Sequence, residues 1–211
     1  MFNIKNSIII FILLIITTST ILFYDYLFFN KLYVFTDAGD DTLRSALPNY
    51  AYLIDTIKNG SFRFWSFEDG VGNSRFTLQE MNFDPFNILI LLFNKYTVVY
   101  FLGYLAVIKI LLSGIFFYFY LSKLNINNYA KIIGSLLYAF NGYTIVWGTA
   151  EFDFVTMVVF LPLGLYALEC SLSNNKWVFF TLYIAFINIF SVYLSFMISI
   201  FIIIFSLFRY I

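Results

Sequence analysis

Residues 96–121 read YTVVYFLGYLAVIKILLSGIFFYFYL, an apolar run interrupted by a single charge, Lys109. A helix crossing the hydrocarbon core of a bilayer needs about 20 predominantly apolar residues, and this run exceeds that. Comparable runs stand at 7–24, 132–147, 154–171, 177–193 and 195–210. Together they predict an all-α polytopic membrane protein of about six transmembrane helices, with residues 1–211 forming one membrane domain. The composition agrees: 62% of residues are hydrophobic, 23% aromatic and only 11% charged. Soluble chains average about 25% charged residues, so most of this surface is expected to face lipid. The first run is long for a signal peptide, and the bulky residues 24–29 that follow it offer no small-residue cleavage site. It reads as an uncleaved anchor. The stretch 87–93 is too short to cross and is assigned to the interface.

Charge sets the expected orientation. A cytoplasmic N-terminus places Lys5, Lys123, Lys131, Lys176 and Arg209 inside, as the rule for short basic loops requires. Eleven acids then fall outside: Asp25, Asp37, Asp40, Asp41, Asp55, Glu68, Asp69, Glu80, Asp84, Glu151 and Asp153. Glu169 is the exception. Twelve basic and twelve acidic residues cancel, which argues against nucleic acid as a partner. With one cysteine and no histidine, the chain excludes disulfide scaffolds, Cys/His zinc sites and His-dependent triads or dyads. Any catalysis must use carboxylates, Lys, Tyr, or bound lipid or metal. The apolar run that ends at Ile211 without a polar tail suggests the front part of a longer protein.

The segment 25–95 is the large extracytoplasmic loop, and its signals alternate between apolar and turn residues. Asp37, Asp40 and Asp41 crowd into a turn that supplies a helix N-cap. Leu43, Leu47, Tyr50, Ile54 and Ile57 follow at helical spacing, with Pro48 marking a kink or a start and Asn59-Gly60 an end. This predicts an amphipathic helix on the outer membrane surface. Phe64, Trp65 and Phe67 then lead to a glycine-rich turn at 68–73. The run Asn82-Phe83-Asp84-Pro85-Phe86-Asn87 opens a second interfacial segment.

Several residues here carry chemistry. Clustered carboxylates just outside a membrane serve as a general base or hold a divalent cation against a phosphate. The same acids also stabilise a helix N-terminus through its dipole. Glu151 and Asp153, in the short loop before the run 154–171, either face the same site or keep a tight loop solvated. Lys109, deep in its span, costs roughly 2.5–3.5 kcal/mol to insert on translocon scales. It either neutralises a lipid phosphate or is satisfied by Glu169, a carbonyl or snorkelling.

Six motifs in order carry a resemblance. They are Gly39-Asp40, Ile57-Lys58-Asn59-Gly60, Phe64-Trp65-Ser66-Phe67-Glu68-Asp69-Gly70-Val71-Gly72, Asp84-Pro85-Phe86-Asn87-Ile88-Leu89, Leu137-Tyr138-Ala139-Phe140-Asn141-Gly142-Tyr143 and Leu161-Pro162-Leu163. The pattern resembles the YfhO-like family of bacterial multi-spanning membrane proteins. That resemblance implies a GT-C glycosyltransferase fold in the bacterial plasma membrane. Such enzymes pass a sugar from a polyprenyl-phosphate donor to an outer-face acceptor, here a cell-envelope polymer such as lipoteichoic acid. It makes Asp40 the expected catalytic base, flanked by Asp37 and Asp41. Arg44, Arg63 or Arg75, or a cation, would hold the leaving phosphate, and Trp65 would stack on sugar or prenyl. The competing classes are a transporter or flippase of a polar or lipid-linked solute, and an inactive membrane fragment.

Overall fold

The structure is a computed structural model, and it describes residues 4–34, 42–60, 65–67, 71–74, 84–147, 152–175, 177–190 and 192–210. The described residues form helices joined by turns, with one minimal strand pair. The elements in chain order are α1 (Ile4–Leu22), α2 (Tyr24–Leu27), a π-helical turn (Thr42–Ala46) and α3 (Leu47–Lys58). The strands β1 (Trp65–Ser66) and β2 (Asn73–Ser74) follow. Then come α4 (Asn87–Ile90), α5 (Val98–Lys123), α6 (Asn128–Ala139), α7 (Gly142–Trp147), α8 (Phe152–Asn174), α9 (Val178–Phe190) and α10 (Val192–Tyr210).

Two of these are long and apolar enough to cross a membrane: α5, with mean hydropathy 2.1, and Val155–Ser173 within α8, with mean hydropathy 1.8. Shorter apolar helical stretches cover Ser7–Leu22, Val178–Ile189 and Ser195–Arg209. Their outward faces carry large apolar side chains, including Ile9 and Leu13 on α1, Leu182 and Ile189 on α9, and Ile203 and Phe208 on α10. A helix apolar on every side belongs in a core or in lipid.

The apolar run 132–147 is not one helix. Asn141 divides it, because its side chain serves the backbone on both sides of the break. Asn141 Nδ2 donates to the Tyr138 carbonyl at 2.6 Å, closing α6, while its Oδ1 accepts from Thr144 N at 2.9 Å, opening α7. An amide able to bond locally competes with the helical ladder in this way. The start of α6 is capped similarly, Asn127 Oδ1 accepting from Ala130 N at 2.7 Å. Within α8 the ladder meets Pro162, which has no N–H to give the Val158 carbonyl. Tyr138 Oη donates to that carbonyl instead, at 2.7 Å.

α5 is the axis of the fold. α1 runs antiparallel to it, with Ser7 Oγ and Tyr118 Oη 2.8 Å apart at one end and Tyr104 Oη donating to the Leu27 carbonyl towards the other. α8 runs beside α5 in the same direction, pairing Phe160 with Phe116 and Tyr166 with Phe119. α9 returns along α8, where Tyr183 lies so close to Gly164 that a Cβ there would sit 2.4 Å from its ring. Arg209 near the end of α10 meets Glu169 of α8 at 2.9 Å. Lys123, Lys131 and Arg209 therefore lie at one end of the bundle, and α3 and α4 sit at the other.

The π-turn, α3 and α4 fold onto the bundle. Ala46, Tyr50 and Ile54 form the buried stripe of the π-turn and α3, in one core with Phe86, Ile90, Val98, Leu102 and Leu105. Pro48 occupies the first turn of α3, so it starts this helix rather than kinking it. The amphipathic face expected on the membrane surface is instead covered by protein, while Leu43 and Ile57 remain exposed. The reason is local: α4 and the upper turns of α5 offer an apolar surface nearer than lipid.

Candidate functional site

Asp84 is the first described residue after the glycine-rich region, and Pro85 follows it. Its Oδ1 accepts from Phe86 N at 2.8 Å, and its carbonyl accepts from Asn87 N at 2.9 Å, so Asp84 builds the turn that opens α4. Its Oδ2 faces the other way, into the bundle. Lys109 Nζ of α5 approaches it at 3.1 Å and Thr156 Oγ1 of α8 donates to it at 2.5 Å. The Lys109 and Asp84 side chains are 1% and 3% exposed. Lys109 Nζ also lies 5.1 Å from the Phe86 ring centre, within the range of a cation–π contact.

Three separate parts of the chain thus meet at one carboxylate. Buried charges are tolerated only when paired and hydrogen-bonded, and this pair satisfies that rule. Three donors converge on the two oxygens of the Asp84 carboxylate. Beside it Asn87 is 5% exposed, and neither of its side-chain amide atoms has a hydrogen-bond partner among the described residues. Asp84, Asn87 and Thr156 were not legible as site residues from the sequence. The usable signal was Lys109 itself, since a lone cation in an apolar span requires a counter-ion. Of the partners expected for Lys109, which were Glu169, a carbonyl or snorkelling, Glu169 instead pairs with Arg209, and Lys109 pairs with Asp84.

The other expected site residues distribute unevenly. Arg44 sits on the exposed side of the π-helical turn. Trp65 is 51% exposed on β1, with Phe67 edge-to-face at 6.4 Å. β1 and β2 are tied by Trp65 opposite Ser74, and Gly72 takes a φ of 107°, where a side chain would be strained and a Cβ would meet Trp65 Nε1. Asp37, Asp40, Asp41, Arg63, Arg75 and Glu151 lie outside the described residues. Asp153 falls in the first turn of α8, one turn ahead of Thr156, and its side chain also lies outside them. No group of three or more Asp, Glu, His or Cys that could hold a metal occurs among the described residues.

Ion pairs decorate the rim. Lys95 meets Asp55 at 2.7 Å, and Lys58 Nζ donates to the Phe93 carbonyl at 2.5 Å, tying α3 to the approach to α5. The Asp55 carboxylate holds the Lys95 ammonium above its ordinary pKa. Asp25 is held below the usual carboxylate range by hydrogen bonds from Lys31 and Asn30. Next to this rim, Phe29, Phe93, Thr97, Tyr100, Phe101 and Tyr104 line an open apolar groove of about 600 Å³.

A family model described as bacterial membrane protein YfhO matches residues 7–211. The chain belongs to the YfhO family. No curated protein and no solved structure matches it. As a member of the YfhO family it is a bacterial membrane protein, which the two long apolar helices fit. Three of the motifs that suggested the YfhO family have structural jobs in this chain. Asp84-Pro85-Phe86-Asn87 anchors α4, Asn141 of the tyrosine-rich motif parts α6 from α7, and Tyr138 of that motif serves the carbonyl that Pro162 leaves open.

Proposed function

We propose that this YfhO-family chain serves sugar transfer at the outer face of the bacterial plasma membrane, from a polyprenyl-phosphate donor to a cell-envelope polymer such as lipoteichoic acid. The observation that carries this reading is the seating of Asp84 on Lys109 and Thr156, which makes the turn before α4, with the π-turn and α3 packed on it, a fixed platform over the bundle. Thr156 also ties α8 to that platform, and Glu151 and Asp153, which precede it in the chain, are read as substrate-binding residues. In this reading the bundle is multi-pass with a cytoplasmic N-terminus. Lys123, Lys131 and Arg209 at the opposite end support that orientation.

The chemistry follows from a GT-C-type arrangement. Asp40, beside Asp37 and Asp41, takes the proton of the acceptor hydroxyl as its oxygen attacks the anomeric carbon. The bond from that carbon to the phosphate oxygen breaks, and polyprenyl phosphate leaves. Arg44, Arg63 or Arg75, or a divalent cation, would hold that phosphate. Trp65 offers a face for stacking on the sugar, and the aromatic groove beside α5 offers room for prenyl.

The test compares envelope-polymer sugar content in cells carrying the native gene or Asp40→Asn at matched membrane abundance. Loss of one sugar from one polymer is expected. Unchanged content retires Asp40. If deletion of the gene also changes nothing, a transporter reading takes its place, which a buried intramembrane ion pair independently favours.

A further inference from the structure

We infer that Asp84 is a positioning residue: through Lys109 and Thr156 it latches α4 onto α5 and α8, and α4 in turn holds the π-turn and α3 in place. The argument starts from connectivity. α3 and the π-turn are held against the bundle by packing, with the Asp55–Lys95 and Lys58–Phe93 ties at the far end of α3. Ala46, Tyr50 and Ile54 rest on a surface that α4 completes with Phe86 and Ile90. α4 is a single turn, too short to be stable alone. What fixes it is Asp84, which holds the turn leading into it with one carboxylate oxygen and reaches two different helices with the other. An ion pair this deep has a narrow range of acceptable geometries, so it sets a register that apolar contacts alone would leave loose. Thr42, fully buried at the head of the π-turn, directly follows Asp41 in the chain. The latch therefore fixes the point from which the acidic turn extends.

This inference deepens the sugar-transfer reading, and its test is independent of it. Ala46, fully buried under the platform, is replaced by cysteine in a full chain carrying Cys170→Ser. Labelling by a membrane-impermeant maleimide is timed in intact cells. Ser113→Cys, at another fully buried position on α5, reports on the bundle itself. Slow labelling of Ala46→Cys is expected in the parent, at least about ten-fold faster labelling with Asp84→Ala, and a return towards the parent rate with Asp84→Glu. Ser113→Cys should stay protected throughout. Unchanged labelling of Ala46→Cys in inserted Asp84→Ala protein overturns the latch, as does equal deprotection of Ser113→Cys. If Asp84→Ala does not insert, Thr156→Val removes one hydrogen bond and is read in the same assay; several-fold faster labelling supports the latch and no change overturns it. Faster labelling with envelope sugar intact in Asp40→Asn keeps the latch and removes the transferase. The reverse pattern removes only the latch.

Discussion

At the scale of single residues, the Asp84–Lys109 pair governs what substitutions should do. Removing Lys109 leaves the Asp84 carboxylate buried without its ammonium, a break that costs about 3–5 kcal/mol, whereas replacing both members with apolar residues of similar volume is often neutral. Lys109→Met is therefore expected to lower the unfolding midpoint of the detergent-solubilised protein sharply. Adding Asp84→Leu to it should recover most of that loss, and a double variant as unstable as the single one would contradict the pairing. Tyr138 is a second case. Tyr138→Phe keeps the ring stacked on Phe117 but strips the donor from the Val158 carbonyl beside Pro162. An orphaned buried acceptor costs about 1–3 kcal/mol, measurable in the same unfolding experiment. Tyr138 and Pro162 were both visible as motif residues; their partnership was not, because nothing in either motif states which helix the other packs against.

Elements show where local chemistry overrides an apolar pattern. Hydropathy alone joins 132–147 into one span, yet Asn141 interrupts it by capping α7 and closing α6. Asn141→Ala is expected to destabilise the protein by about 0.5–2 kcal/mol, as cap removal does, and to raise amide exchange at Thr144 first. Uniform exchange across α6 and α7 would argue against a local cap. The turn after α2 is a pH-sensitive element. Lys31 N donates to the Asp25 carbonyl while Lys31 Nζ meets the Asp25 carboxylate at 2.8 Å. Because that carboxyl is held below its ordinary value, its contribution is complete above the unfolded pKa of about 4. It is lost as pH falls through the folded one. Exchange of the Lys31 amide should accelerate only below about pH 4, and Asp25→Asn should erase that dependence. Both groups are solvent-exposed, so salt should weaken the effect too.

For the whole molecule, the prediction concerns orientation. Cysteines at Asn59 and at Asn125, introduced singly in a Cys170→Ser background, should label from opposite sides of sealed cells, with Asn59→Cys outside. Labelling of both from outside would overturn the proposed topology. The sequence by itself determined the helical class, the apolar runs and the family, because hydropathy and ordered motifs are local properties, while it left Pro48 as either a kink or a start. It also showed that Lys109 needed an explanation. Only the tertiary structure decided what that explanation is. Asp84 lies 25 positions from Lys109 and Thr156 lies 47 beyond it, separations at which no local pattern identifies a partner. The same holds for α3, whose apolar stripe fits a membrane surface as well as a protein one. Its true cover became known only when α4, fixed by a buried charge, was seen beneath it.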